Sequence, residues 1–367
     1  MVVVAAETQN TENLGFTLSF NEIRSLVESE FIIEETRMEF GVITFFVRFT
    51  DTPKKSFENL VKKMKPYNLT PMLRERDKDK IALYVVPKPK IKVGRIRTNL
   101  ILLIVTTITI FLSGYFNSIA WVKTFGGNTF THAAYFTIAL LAIVGLHEIG
   151  HKIVCWLKGT EASLPYFIPG PPFPIGFGTF GAVIMQKEPP VNRDELFDLG
   201  FSGPVVSFVV SLVVAAISIN LMQPVPPELL KETTIMTIPV NLAWALLTHF
   251  IRPASEEQLM LMPPIGWAAW LGFVITFLNL LPIWQLDGGH IASALFGVRG
   301  RQIASFIGLL VTFATGFWFF GLLIMLLSFH ARSVEPLDNV SSVSFGRKVL
   351  GVLAYVMLVF SAVVLWS

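Results

Sequence analysis

Two histidines four residues apart, with a glutamate directly after the first, stand out in the run Val144-Gly-Leu-His147-Glu148-Ile-Gly-His151-Lys152. On a helix, positions i and i+4 lie about 40° apart around the axis and one turn apart along it. Both imidazoles then face one point, as two ligands of a tetrahedral zinc must. Glu148 falls about 100° further round, beside such a metal rather than on it, where it can take a proton from a water acidified by the metal. The surrounding residues are apolar enough to span a bilayer, and an ionisable group at that depth costs about 3 kcal/mol. A hydrogen-bonded packing role accounts for one such histidine, not for three ionisable groups in one turn. The cofactor these residues suggest is a single zinc ion.

A catalytic zinc takes three protein ligands and keeps a fourth position open. The best-placed third donor is in Asn279-Leu-Leu-Pro282-Ile-Trp-Gln-Leu286-Asp287-Gly288-Gly289-His290, where an apolar span ends and Pro282 loosens the backbone. Asp287 precedes a Gly-Gly turn and a short helical pattern over residues 291–295, so an N-cap suits it as well as a metal. Beside a histidine pair lacking its third partner, the metal role is favoured. His290 competes for it. Cys155 continues the histidine face but sits about 12 Å from His147 along the axis, and reads as a small buried apolar residue. Asn279 fits two roles equally: capping the loosened backbone, or hydrogen-bonding a substrate backbone or the oxyanion of hydrolysis. Gly200-Phe-Ser202-Gly203-Pro204 reads as close helix packing, with a hinge or cavity wall as the alternative.

The elements that must position these residues are mostly membrane helices. Of 367 residues 53% are hydrophobic and only 15% charged, against about 25% charged in a soluble domain. That composition excludes a water-soluble enzyme and a disordered chain. A net charge of +3 gives no nucleic-acid partner, and one cysteine excludes a disulfide framework or a Cys-rich zinc finger. About 20 apolar residues cross the hydrocarbon layer. Spans are expected at residues 100–121, 133–157, 199–222, 265–281, 302–329 and 349–365. Residues 164–187 are apolar but interrupted by Pro165, Pro169, Gly170, Pro171, Pro172, Pro174, Gly176, Gly178 and Gly181. That stretch reads as a re-entrant loop or a short sheet lining a cavity, because irregular backbone at membrane depth must be satisfied by protein or water. Residues 235–251 are apolar too, broken by Pro239.

The fold class expected is a mostly α-helical polytopic membrane protein of about six transmembrane helices. To these the reading adds a membrane-associated re-entrant or β segment and a small soluble N-terminal α/β domain. Residues 1–13 form a flexible start with no cleavable signal. The soluble domain covers 14–90, with helices at 20–28 and 56–64, strands at 42–49 and 81–86, and weaker strands at 31–39 and 69–74. A basic linker (91–98), a membrane core (99–330) and a C-terminal linker with the last helix (331–367) follow. Basic residues 88–97 before the first span place the soluble domain in the cytoplasm of a cell membrane. The same rule puts Arg299 and Arg301 in a cytoplasmic loop, while Arg332, Arg347 and Lys348 count against it.

Together the two motifs resemble the site-2 protease family of intramembrane zinc metalloproteases, particularly its archaeal and plastid-like branch. That family pairs H-E-x-x-H in one span with N-x-x-P-x-x-x-L-D-G in a later one. Residues 147–151 and 279–288 carry every fixed position of the two. The Pro/Gly-rich stretch ending Gly178-Thr-Phe-Gly181-Ala is also similar to that branch, in which it forms a membrane-associated loop or sheet. The resemblance covers residues 100–330. It implies His147, His151 and Asp287 as zinc ligands, Glu148 as the base that activates water, and Asn279 as a substrate-positioning residue. Substrates would be membrane proteins cut in or near a transmembrane helix within the lipid bilayer. The inserted PDZ module of many relatives has no counterpart in length or strand pattern. Two other readings are a transporter or ion-binding protein, which broken helices also suit, and a zinc-holding scaffold without activity. No internal repeat supports the transporter.

Overall fold

A computed structural model describes residues 18–39, 42–48, 52–77, 80–88, 94–226, 238–253, 259–328 and 335–363. The start expected to be flexible (1–13), part of the linker (91–93) and part of the Pro239 region (235–237) lie outside them. The chain forms two compact units.

The first unit joins the N-terminal residues to the distant segments 189–196 and 334–345. Its elements are α1 (Phe20–Glu28), β1 (Ile32–Glu39), β2 (Val42–Arg48), α2 (Pro53–Met64), β3 (Leu69–Asp77) and β4 (Lys80–Pro87). The four strands pair antiparallel in the order β1-β2-β4-β3. Strand periodicity turns Ile43, Phe45 and Val47 to one face with Leu83 and Val85, against Ile23, Val27, Phe57 and Leu60 of the two helices. Ser19 and Glu22 form a capping box that starts α1. Beyond the sheet order, Leu73 N–H donates to the Leu337 carbonyl at 2.8 Å, so a segment more than 250 residues away in sequence lies along β3.

The second unit is helical: α3 (Ile96–Phe125), α4 (Thr129–Leu157), α5 (Arg193–Leu221), α6 (Leu242–Ile251), α7 (Pro264–Leu280), α8 (Asp287–Ala314), α9 (Trp318–Ser328) and α10 (Phe345–Ser361). Among the described residues α3, α4, α5 and α8 are long and apolar enough to cross a membrane, and the expected count of about six is not confirmed. The span expected at 302–329 starts at Asp287 instead, kinks at Gly297 (φ 72°) and stops at Ala314; after Gly316 (φ 93°) the chain re-enters helix as α9. Glycine alone adopts those backbone angles freely, and apolar composition does not register them. The span expected at 265–281 is the 17-residue α7. Its Ala268, Ala269 and Phe273 are buried against Phe136, Leu140, Ile143, Ala215 and Ile219 of α4 and α5. A helix wrapped by protein has the same hydropathy as one wrapped by lipid. Arg301, expected in a cytoplasmic loop, is instead 6% exposed within α8.

The Pro/Gly-rich stretch forms a two-stranded antiparallel hairpin, β5 (Tyr166–Pro169) and β6 (Thr179–Val183). Polar side chains of α3 satisfy its irregular backbone. Asn99 Nδ2 donates to the Leu164 and Pro165 carbonyls at 2.9 and 3.0 Å. Thr109 donates to the Gly178 carbonyl at 2.6 Å, and Ser113 Oγ accepts from Phe173 N–H at 3.1 Å.

Candidate metal centre

Helix α4 runs unbroken through His147, Glu148 and His151, all three buried. The i, i+4 spacing brings the two Nε2 atoms to 3.1 Å from each other. The third donor arrives from α8. After α7 the chain makes tight turns, Ile283 N–H to the Leu281 carbonyl (2.7 Å) and Leu286 N–H to the Ile283 carbonyl (2.9 Å), and Trp284 N–H is held by Ser305 Oγ at 3.1 Å. A methyl group on Gly289 would lie 2.7 Å from the Ile283 carbonyl oxygen, so the pair Gly288-Gly289 lets α8 begin directly against the turn. Asp287 is thereby the first residue of α8, with Leu286 at the N-cap position and no side-chain cap. The Asp287 Oδ2 lies 3.2 Å from His147 Nε2 and 3.4 Å from His151 Nε2. The capping role open in the sequence is not the one it plays.

Among the described residues, His147, His151 and Asp287 form the one group whose ligand atoms could hold a metal ion. His290 lines the same cavity without joining that group, and Cys155 is a buried cysteine, in no disulfide, outside it. The three donors fit zinc. Ligands about 2.0–2.1 Å from a tetrahedral zinc stand about 3.3 Å from one another, the separations seen here. Two imidazoles and a carboxylate are a donor set suited to it. The far nitrogens are engaged as well: His147 Nδ1 meets Ser207 Oγ at 3.1 Å, and His151 Nδ1 meets the Leu199 carbonyl at 2.8 Å and Ser202 Oγ at 3.3 Å. With Nδ1 donating outward, each Nε2 lone pair turns inward. Gly203 of α5 keeps that space clear, since a Cβ there would lie 2.8 Å from His147 Nε2 and closer still to His151 Nε2.

The donors open on a cavity of about 230 Å³ lined also by Glu148, Ile184, Gln186, Asn279 and His290. The Glu148 carboxylate lies beside His147, 4.0 Å from Nε2, and accepts from the Ile184 backbone N–H just past β6. Asn279 reaches the cavity from the last turn of α7, and its amide makes no hydrogen bond within the described residues, so it does not cap the loosened backbone. Every site residue expected from the sequence therefore reaches one cavity. Ser207, Ser202 and the Leu199 carbonyl were missed. Ser207 was detectable as a hydroxyl inside an apolar span, and it leans in turn on Thr276 Oγ1 of α7 at 2.9 Å. A backbone carbonyl leaves no trace in a sequence.

The sequence pattern of Peptidase family M50 matches residues 135–324, just over half of the chain and all of the residues that build this centre. The chain belongs to Peptidase family M50. The site-2 protease resemblance is thus met at the family level. Among curated relatives, the rice (Oryza sativa subsp. indica) protein named "Probable zinc metalloprotease EGY2, chloroplastic" is 29% identical over 177 residues, 47% of this chain and 30% of its own length. The Arabidopsis thaliana protein named "Probable zinc metalloprotease EGY1, chloroplastic" is 27% identical over 238 residues, 62% of this chain and 42% of its own length. The chain thus spans less than half the length of these relatives. No solved structure matches it. Zinc, the metal in both relatives' names, is the one the donor geometry of this M50 chain suits. The helix α10 lies beyond the matched region.

Proposed function

We propose that the chain is an intramembrane zinc endopeptidase that hydrolyses a peptide bond in or near a transmembrane segment of a membrane-protein substrate. The observation that carries this reading is the meeting of His147 Nε2, His151 Nε2 and Asp287 Oδ2 within 3.1–3.4 Å of one another beside Glu148. A zinc held by His147, His151 and Asp287 would supply Lewis-acid polarisation of the peptide carbonyl and would acidify water at the site to a pKa of about 7. Glu148 takes the proton of the attacking water and passes it to the leaving amine. The free amide of Asn279 hydrogen-bonds the substrate backbone or the developing oxyanion.

A helical substrate hides its carbonyls in i→i+4 bonds, so it unwinds locally before attack. Among the described residues β6 pairs only with β5, and Ala182, Val183 and Ile184 line the cavity. The unwound stretch adds as a strand on that edge, which supplies main-chain hydrogen bonds. Proline introduced singly at non-glycine positions of residues 179–185 should lower cleavage only where such pairing occurs; uniform tolerance removes the edge from the mechanism. The soluble domain (14–90) faces the cytoplasm in this reading, which protease protection in sealed vesicles checks.

The deciding assay compares wild type with Glu148→Gln on a single-span membrane substrate. Zinc content should be equal and cleavage should fall by about 10²–10⁴-fold. Equal cleavage by both would refute the protease assignment, and absence of cleavage by wild type across substrates would leave the zinc-holding scaffold in its place.

A further inference from the structure

The residue next to the one that fixes His151 is held by a helix outside the family-matched region. His151 Nδ1 is oriented by the Leu199 carbonyl. One residue earlier in α5, the Asp198 carboxylate accepts a two-pronged pair from Arg347 of α10, Nε at 2.7 Å and Nη2 at 2.6 Å. Lys158, at the end of α4, approaches the same carboxylate at 3.3 Å. A two-pronged guanidinium–carboxylate pair fixes direction as well as distance, and both side chains here are largely shielded, 25% and 21% exposed.

Helix α10 also reaches the other arm of the metal centre. At Gly351, one turn beyond Arg347, a methyl group would lie 2.8 Å from Leu295 Cδ1 of α8 and 3.6 Å from Phe197 of α5. Leu295 is two turns from Asp287 on the same helix. Further along, Leu358 packs against the cluster of Phe277, Leu281 and Ile283 that carries the turn into Asp287. The helices bearing the His151 carbonyl partner and the third ligand are thus both packed on α10.

We propose that α10 braces the metal centre and that Arg347 is a positioning residue for it. Its grip on Asp198 sets the Leu199 carbonyl, and that carbonyl holds the His151 ring with Nε2 toward the metal. Losing the grip lets α5 shift and the ring turn, so bound zinc leaves faster. The inference rests on the zinc-site reading above.

The test follows zinc release to a chelator from the purified full chain, at a temperature where circular dichroism shows each variant fully helical. Arg347→Met should release zinc about tenfold faster than wild type, the low end of what loss of a ligand-orienting contact costs. Arg347→Lys, which keeps the charge but not the two-pronged geometry, should fall between. A merely structural role would lower the unfolding temperature and leave release below it unchanged. Release from both variants within twofold of wild type overturns the brace; if Arg347→Met does not fold, the Lys variant decides alone. Wild type holding no zinc would instead remove the metal reading, and the brace with it.

Discussion

Gly203 shows how finely the centre depends on what is missing. Its absent side chain leaves room in front of both Nε2 atoms, so Gly203→Ala puts a methyl where the metal would sit. We expect that variant to fold and to bind zinc at least tenfold more weakly, measured by competition with a chelator; undiminished affinity would mean that α5 moves freely away from α4. At this scale the sequence was most informative where chemistry follows from spacing along one helix. His147, Glu148 and His151 needed only the helical period. Asp287 and His290 were both in reach, and only three-dimensional distance separates the one that joins the histidine pair from the one that lines the cavity beside it. The partners of the far imidazole nitrogens were not legible, because Ser202 and Leu199 meet His151 across 48 or more residues through tertiary packing.

The hairpin of residues 166–183 takes its backbone partners from a neighbouring helix. Its proline and glycine content forbids a helix, which the sequence showed; what satisfies its carbonyls it did not show, since Asn99 and Thr109 are on α3, more than 60 residues earlier. Asn99→Leu keeps volume but removes the Asn99 donor from the part-buried Leu164 and Pro165 carbonyls, the first of which Ser163 Oγ also serves. We expect a loss of about 1 kcal/mol, read as a lower unfolding temperature and faster proteolysis within residues 164–187. No change in either would mean that water serves those carbonyls equally well. The expected span positions differ from the observed helices for a related reason: hydropathy registers how apolar a segment is, not whether protein or lipid surrounds it. Thus α7 is short and central, and the glycines at 297 and 316 divide what composition presents as one long run.

On the scale of the whole chain, the first unit is assembled from three separated segments. Its helices were legible from helical spacing and its strands from β-branched and aromatic runs bounded by turn residues, whereas the return of residues 335–345 to β3 has no sequence signature. Arg74 secures that return, donating through Nη1 to the Pro336 and Leu337 carbonyls at 3.0 and 2.7 Å. Hydrogen bonds from a charged donor contribute about 1.5–3 kcal/mol. Arg74→Met should therefore raise the rate of proteolytic nicking within residues 335–345 about tenfold, and an unchanged rate would show the segment held by its other bonds, such as Arg193 to the Asn339 carbonyl.

The central claim concerns three donors from two helices around one ion. The most direct measurement is the zinc content of purified wild type, Asp287→Ala and His290→Ala. The structure predicts one zinc per chain in the first and the third and little or none in the second. Full zinc in Asp287→Ala, or its loss in His290→Ala alone, would contradict the assignment.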